Sequence, residues 1–578
     1  MNLNNFNRGS TRTHSHKNNL TGYYFCYLAT VEIRDHHRYH SARESHPYHS
    51  DRVWRIMNFW SAEFVGLLLV VGCVGTVILR TVEWLWWKPK KLEKLLQSQG
   101  IEGTPYTILF GDLRKLVKQT KEAVSRPIAP FSNDILRRVS PFFSQVVEDC
   151  GGKLCYLWMG TSPTVIVTDP KLVREIMCDK SGHIDKPPAH PLGRYLLNGL
   201  VNLQGQKWVD RRKIINPVFH VDQLKKMYGA FSCCCSELID RWEKLLGSGE
   251  SVELDVWPEL GNLTGDIISR SAFGSSYLEG RRIFQLQTEQ AELFIQAVRS
   301  IYIPGFKFVP TRNNRRRKEI DSEVCDLLRG IIKKREQSIA TNPASTSSSA
   351  SHDDLLGFLM DSNANQETTG ITTDEMIGEC KLFYFAGQET TSVLLNWTLV
   401  VLSMYPNWQH LARQEVLQVC GRKQPVFSDM NQLKNVTMII YEVLRLYPPA
   451  LFLIRMAHHA INIGGYSFPS GMEFRLPILT MHHDPSLWGD DVKEFKPERF
   501  SQGISKATKN KMIFFPFGAG SRTCIGQTFA MTEAKLGLAM ILQHFKFELS
   551  PSYLHAPFSI MTLQPQHGTP LILSRYDE

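Results

Sequence analysis

The chain has 578 residues, enough for one large core with appendages, and with 43% hydrophobic and 21% charged residues it is not disordered throughout. Its twelve cysteines show no C-x-x-C spacing, which argues against a disulfide framework or a zinc site and for reduced thiols in a cytosol-facing protein. A net charge of +10 suits an anionic membrane surface or an acidic protein partner, whereas no basic helix has the spacing of a nucleic-acid reader, so no nucleic acid is expected.

In chain order, residues 1–56 are polar and rich in histidine without hydrophobic periodicity, and read as a disordered extension rather than a fold. Residues 57–87 change character. The apolar stretch 59–79 would span ~31 Å as a helix, the thickness of a bilayer core. Trp84, Trp86 and Trp87 come next, at interface depth, and Lys88, Lys90 and Lys91 open a basic linker over 88–105 that places the C-terminal remainder of the chain in the cytosol. The length of the apolar stretch and its distance from residue 1 favour a retained anchor over a cleaved signal. Asn262, Asn396 and Asn435 head N-x-T acceptor patterns that a cytosolic domain would leave unmodified.

The remainder, 106–578, reads as a single catalytic domain. Trp208 and Arg212 stand one helical turn apart in GQKWVDRRK, a pairing suited to holding a carboxylate. The basic run Arg315, Arg316, Arg317 and Lys318 reads as a solvated face, and 342–351 as a mobile low-complexity loop. From Thr372 a long helix is predicted, with Glu375 completing a capping box, Pro406 closing it, and an apolar surface almost all round. Glu389 and Thr390 interrupt that surface beside Gly387. An acid next to a hydroxyl in an apolar setting can pass protons, and the glycine can loosen the helix ladder. The plainer alternative is that Thr390 bonds back to a carbonyl one turn earlier.

Glu442 and Arg445, three apart on one helix face among apolar neighbours, predict a buried pair, with Arg499 of FKPERF as third partner. Arg455 ends an apolar strand-like run and is another carboxylate candidate. The most telling stretch is FGAGSRTCIG. Gly520 and Gly526 would turn the backbone so that amides face the sulfur of Cys524, Arg522 would meet an anion, and Phe517 would pack against a flat ring. A structural cysteine in a glycine-rich turn is the alternative.

These motifs, in this order, resemble the cytochrome P450 family. Longer stretches such as KLFYFAGQETTSVLLNW are similar to the plant clan that contains secologanin synthase and triterpenoid, gibberellin and brassinosteroid oxidases. The resemblance implies a mainly α fold with a small β-rich lobe, preceded by one transmembrane helix. It also implies haem b with the Cys524 thiolate as axial ligand, and propionates held by Trp208, Arg212, Arg455 and Arg522. Glu389 and Thr390 would supply protons, and Glu442, Arg445 and Arg499 a structural network. Electrons would come from NADPH through NADPH–cytochrome P450 reductase at the endoplasmic reticulum membrane, for oxidation of a bulky hydrophobic plant metabolite or hormone. Substrate walls are expected at 183–200, Phe383, 451–454 and 559–563. In the family pattern the chain begins near Met57, which marks 1–56 as an extended gene model. Two other readings remain: an oxygen-independent haem-thiolate rearrangement enzyme, and a catalytically silent membrane-anchored haem scaffold.

Overall fold

The computed structural model describes residues 50–576 except 130, 276, 302, 304, 342–353 and 365–369. The low-complexity run 342–351 and residues 1–49 of the histidine-rich extension therefore lie outside the described residues. Contacts divide the chain into Met1–Ile78 and Leu79–Glu578.

Helix α1, Ser50–Val82, starts seven residues before Met57, so the extension is helical at its end. Among the described residues, Phe64–Ser98 is the one helical stretch long and apolar enough to cross a membrane, with mean hydropathy 2.2 and none of that window buried. The expected linker is corrected: its first part is a helix, α2, Lys88–Ser98, because Leu92, Leu95 and Leu96 recur at helical spacing beneath the lysines. Leu96 is fully buried against the sheet lobe, and Glu93 accepts the Tyr106 amide at 2.8 Å.

The β-lobe is a six-stranded sheet of β1 (Glu102–Gly103), β2 (Leu154–Met159), β3 (Ser162–Val167), β4 (Ile184–Asp185), β5 (Leu453–Ala457) and β6 (Glu473–Leu476), in spatial order β1-β2-β3-β6-β5-β4. Edge strand β4 pairs Asp185 with Met456 of β5, which brings residues remote in sequence beside Arg455.

The helical body surrounds one buried helix. In chain order its principal members are α3 (Pro170–Met177), α4 (Gly205–Ile215), α5 (Val221–Leu246), α6 (Val256–Phe273), α7 (Tyr277–Val298), α8 (Arg312–Thr341), α9 (Thr373–Met404), α10 (Lys434–Leu446) and α11 (Gln527–His544). The predicted cap of α9 is present: Thr372 accepts the Glu375 amide at 3.2 Å and Glu375 accepts the Thr372 amide at 3.1 Å. Residues 391–404 of α9 are buried without interruption, as its apolar circumference requires. Asn396 is fully buried there, so a glycan at that acceptor is incompatible with the fold. The basic run on α8 is only partly solvated: Arg316 pairs with Glu289, but Arg317 turns inward to the carbonyl of Leu293 and the side chain of Asn314.

Candidate active site

Cys524 sits between a short turn, Gly520–Arg522, and the start of α11. Its amide donates to the Phe517 carbonyl at 2.8 Å, which fixes the loop as a closed turn. Gly520 is required twice over: its φ is +67°, and a Cβ there would lie 1.9 Å from the Met177 carbonyl oxygen of α3. Gly526 has φ −90°, so its expected conformational role is corrected. Its amide does face the sulfur. Burial pushes the Cys524 thiol up, while that amide and the nearby Arg212 and Lys186 pull it down. The cysteine is nevertheless accessible to solvent. Deep enclosure with an open face describes a recess.

Around it stands a cluster of cations. Arg212, on α4, donates to the Asn216 side chain at 2.8 Å and to the Thr523 carbonyl at 3.0 Å. Arg455, on β5, is buried, and burial and Arg522 lower it to about 10. Its guanidinium donates to the Ile454 carbonyl and forms no ion pair among the described residues, and the nearby Asp185 carboxylate only partly offsets the lowering. Lys186, adjoining β4, faces Arg455 and Arg522, and burial together with those charges lowers it to about 8. Arg522 lies with its guanidinium 4.1 Å over the Trp208 ring. The sequence reading sent Arg522 to a ligand; here it grips Asp185 with two bonds, of 2.8 and 2.6 Å, and leaves Nη1 buried without a partner. Asp185 and Lys186 were missed because nothing in their local sequence signals a partner more than 300 positions away.

Such a cluster, with one carboxylate among four cations, is costly unless an anion completes it. The orphaned Nη1 of Arg522 and the guanidinium of Arg455, which has no ion-pair partner among the described residues, fit the two propionates of a haem, and the cysteine recess fits its iron. Trp208, Arg212, Lys186, Arg455 and Arg522 could hold such a group, with Phe517 beside the ring. Phe517 packs on the edge of the main core.

On α9 the buried surface opens at 385–390, where Thr390 is exposed. Thr390 donates to the Ala386 carbonyl at 2.9 Å, so the backbonded geometry forms. The helix stays unbroken through Gly387, contrary to a loosened ladder. What Gly387 permits is contact: a Cβ would lie 2.5 Å from Ile268 of α6. At that crossing the Thr264 hydroxyl of α6 donates to the Gln388 carbonyl at 2.9 Å. Glu389 is held by one oxygen, Oε1, which accepts from both Thr562 and Gln564. Phe383 stacks on Phe219, whose ring also meets Phe529 of α11 and so connects α9 to the cysteine helix.

The network on α10 is present. Arg445 donates to both oxygens of Glu442, at 2.9 and 2.6 Å, and to the carbonyls of His482, Val492 and Glu494. Arg499 approaches Glu442 at 3.4 Å and pairs with Asp491 at 2.7 Å, a fourth member that the motif spacing does not announce.

Comparison with known proteins agrees with this geometry. The sequence model of the family "Cytochrome P450" matches residues 137–567. The chain is 54% identical over 513 residues to cytochrome P450 CYP72A616 of Paris polyphylla, covering 88% of this chain and 98% of the relative. It is 47% identical over 517 residues to cytochrome P450 72A15 of Arabidopsis thaliana, with 89% and 99% covered. It is 44% identical over 530 residues to 7-deoxyloganic acid hydroxylase of Catharanthus roseus, with 90% and 99% covered. Similarity at this level over nearly the whole of each relative means that the chain belongs to the cytochrome P450 family, in its plant secologanin synthase-like clan, and is a monooxygenase.

Proposed function

We propose that this chain oxidises a bulky, largely hydrophobic terpenoid, using dioxygen and electrons passed from NADPH by a membrane-bound reductase. Its anchor would lie in the endoplasmic reticulum membrane, with the catalytic domain on the cytosolic side. The observation that carries the reading is the exposed hydroxyl of Thr390, beside an oriented acid, where the long apolar helix α9 opens between its buried segments 376–384 and 391–404. The Catharanthus relative, a 7-deoxyloganic acid hydroxylase, supports the terpenoid class.

A haem bound through Cys524 supplies the dioxygen activation, favoured by electron donation from the thiolate. The chain's own residues do the rest. Arg212, Arg455, Arg522 and Lys186 neutralise the carboxylates of the group, and Trp208 fixes the plane of Arg522. Thr390 donates its hydroxyl hydrogen bond to the Ala386 carbonyl, which leaves its own lone pairs free to accept a hydrogen bond in the recess. Glu389, oriented by Thr562 and Gln564, is the adjacent proton reserve.

Thr390→Ala is expected to keep consuming NADPH while releasing hydrogen peroxide and losing product by roughly 10²-fold, within the usual range for a positioned proton-transfer group. Product formation as well coupled as in wild type contradicts the role. For the substrate class, a ferric spin-state titration of the microsomal protein against iridoid, diterpenoid, triterpenoid and steroid compounds is expected to give a saturable shift with a terpenoid. An intact thiolate spectrum with no terpenoid response contradicts that class.

A further inference from the structure

Residues 186–203 form a loop closed at its neck. Arg522 donates both to Asp185, just before the loop, and to the Leu203 carbonyl at its end (2.8 Å). Gln204 crosses the same neck to the Lys186 carbonyl at 2.6 Å. A segment whose ends touch and whose Leu192, Leu196 and Leu200 are buried packs as one compact unit.

Two buried charges of α9 hold that unit down. Lys381 donates to the Tyr195 carbonyl at 2.8 Å and is paired with Asp321 of α8. Glu379, fully buried, accepts the Leu200 amide at 2.9 Å and the Arg211 guanidinium at 2.8 Å. The fit at Gly199 is close: its φ is +81°, and a Cβ would lie 2.5 Å from the Glu379 carboxylate. Charges so deeply buried persist where their partners are fixed, and here part of the partner set is loop backbone. Arg211, bound by Glu379, neighbours Arg212 in the cation cluster, so the latch and the recess share helix α4. Leu192, inside the loop, lines a cavity of about 460 Å³ with Ala297 of α7 and Arg317 of α8. Displacing the loop changes the space open to a ligand on that side.

We propose that Glu379 and Lys381 are positioning residues that latch loop 186–203 shut and so set the size of ligand admitted to the recess. The inference rests on the functional reading above. It gives α9 a second duty beside proton handling at 389–390, the retention of the loop about two to three turns earlier.

The test uses the detergent-solubilised, haem-loaded full chain. Lys381→Met, which keeps the length and removes the donor, is expected to retain the reduced carbon monoxide spectrum and to speed amide exchange across 193–203 about tenfold. It is also expected to accelerate binding of 4-phenylimidazole about tenfold more than that of imidazole, because the larger ligand needs the loop to move. Lys381→Arg is expected to restore both. Gly199→Ala attacks the same contact from the loop side and is expected to raise the same exchange, so the test stands if Lys381→Met fails to accumulate. Unchanged exchange over 193–203 in both variants, with the spectrum intact, overturns the latch. A wild-type protein without a thiolate spectrum overturns the functional reading instead, and the exchange comparison still judges the loop.

Discussion

Cys524→Ser is expected to lose the thiolate-type reduced carbon monoxide spectrum completely and most of its bound haem, while the helical content of the protein is retained. The serine fits the turn, since the bond from the 524 amide to the Phe517 carbonyl involves backbone alone. What disappears is the ligand. A hydroxyl has a far higher pKa than a thiol, and the amide of Gly526 with the charges of Arg212 and Lys186, which favour a thiolate at 524, are insufficient to ionise it. The cation cluster would then hold the carboxylates of the haem with no bond from residue 524. Measuring haem per protein alongside the spectrum checks the expectation; a thiolate-type spectrum in the serine variant contradicts the ligand assignment.

The second large effect is expected at Arg445. Arg445→Leu removes both bonds to Glu442 and strands the carbonyls of His482, Val492 and Glu494. Removing one partner of a buried pair costs about 3–5 kcal/mol, a large share of a stability of about 5–15 kcal/mol. The expected result is a protein that accumulates poorly and unfolds at a markedly lower temperature. Lysine is not a substitute, because one ammonium cannot reproduce the planar fork that grips Glu442 while reaching three carbonyls. Changing Glu442 to leucine as well is expected to restore little, since the carbonyls remain unsatisfied. A wild-type melting temperature for Arg445→Leu contradicts this account, in which the network holds the segment before the cysteine loop.

Much of this architecture was legible in the residues. The cap at Thr372 and Glu375 is a local event with a fixed spacing, and it forms as read. Glu442 and Arg445 lie one turn apart on a strongly apolar helix, so their burial followed from their neighbours. Partners brought together by topology were less accessible. Asp185 meets Arg522 because β4 occupies the sheet edge beside β5, a placement that no spacing encodes. The anchoring of Glu389 by Thr562 and Gln564 is of the same kind. Helix α2 was hidden by charge: its lysines suggested a linker, although its leucines already carried a helical period. At Thr390 the backbonded and functional readings proved compatible, because donating to Ala386 leaves the oxygen's lone pairs free.

The central claim is that one oxygen atom from dioxygen enters a terpenoid at this site. The most direct measurement is turnover of the microsomal protein with reductase, NADPH and isotopically labelled dioxygen, using a compound that gives a spin-state shift. The account predicts a product heavier by one labelled atom, formed only when both NADPH and dioxygen are supplied. An unlabelled product formed without either contradicts it and establishes rearrangement chemistry in its place.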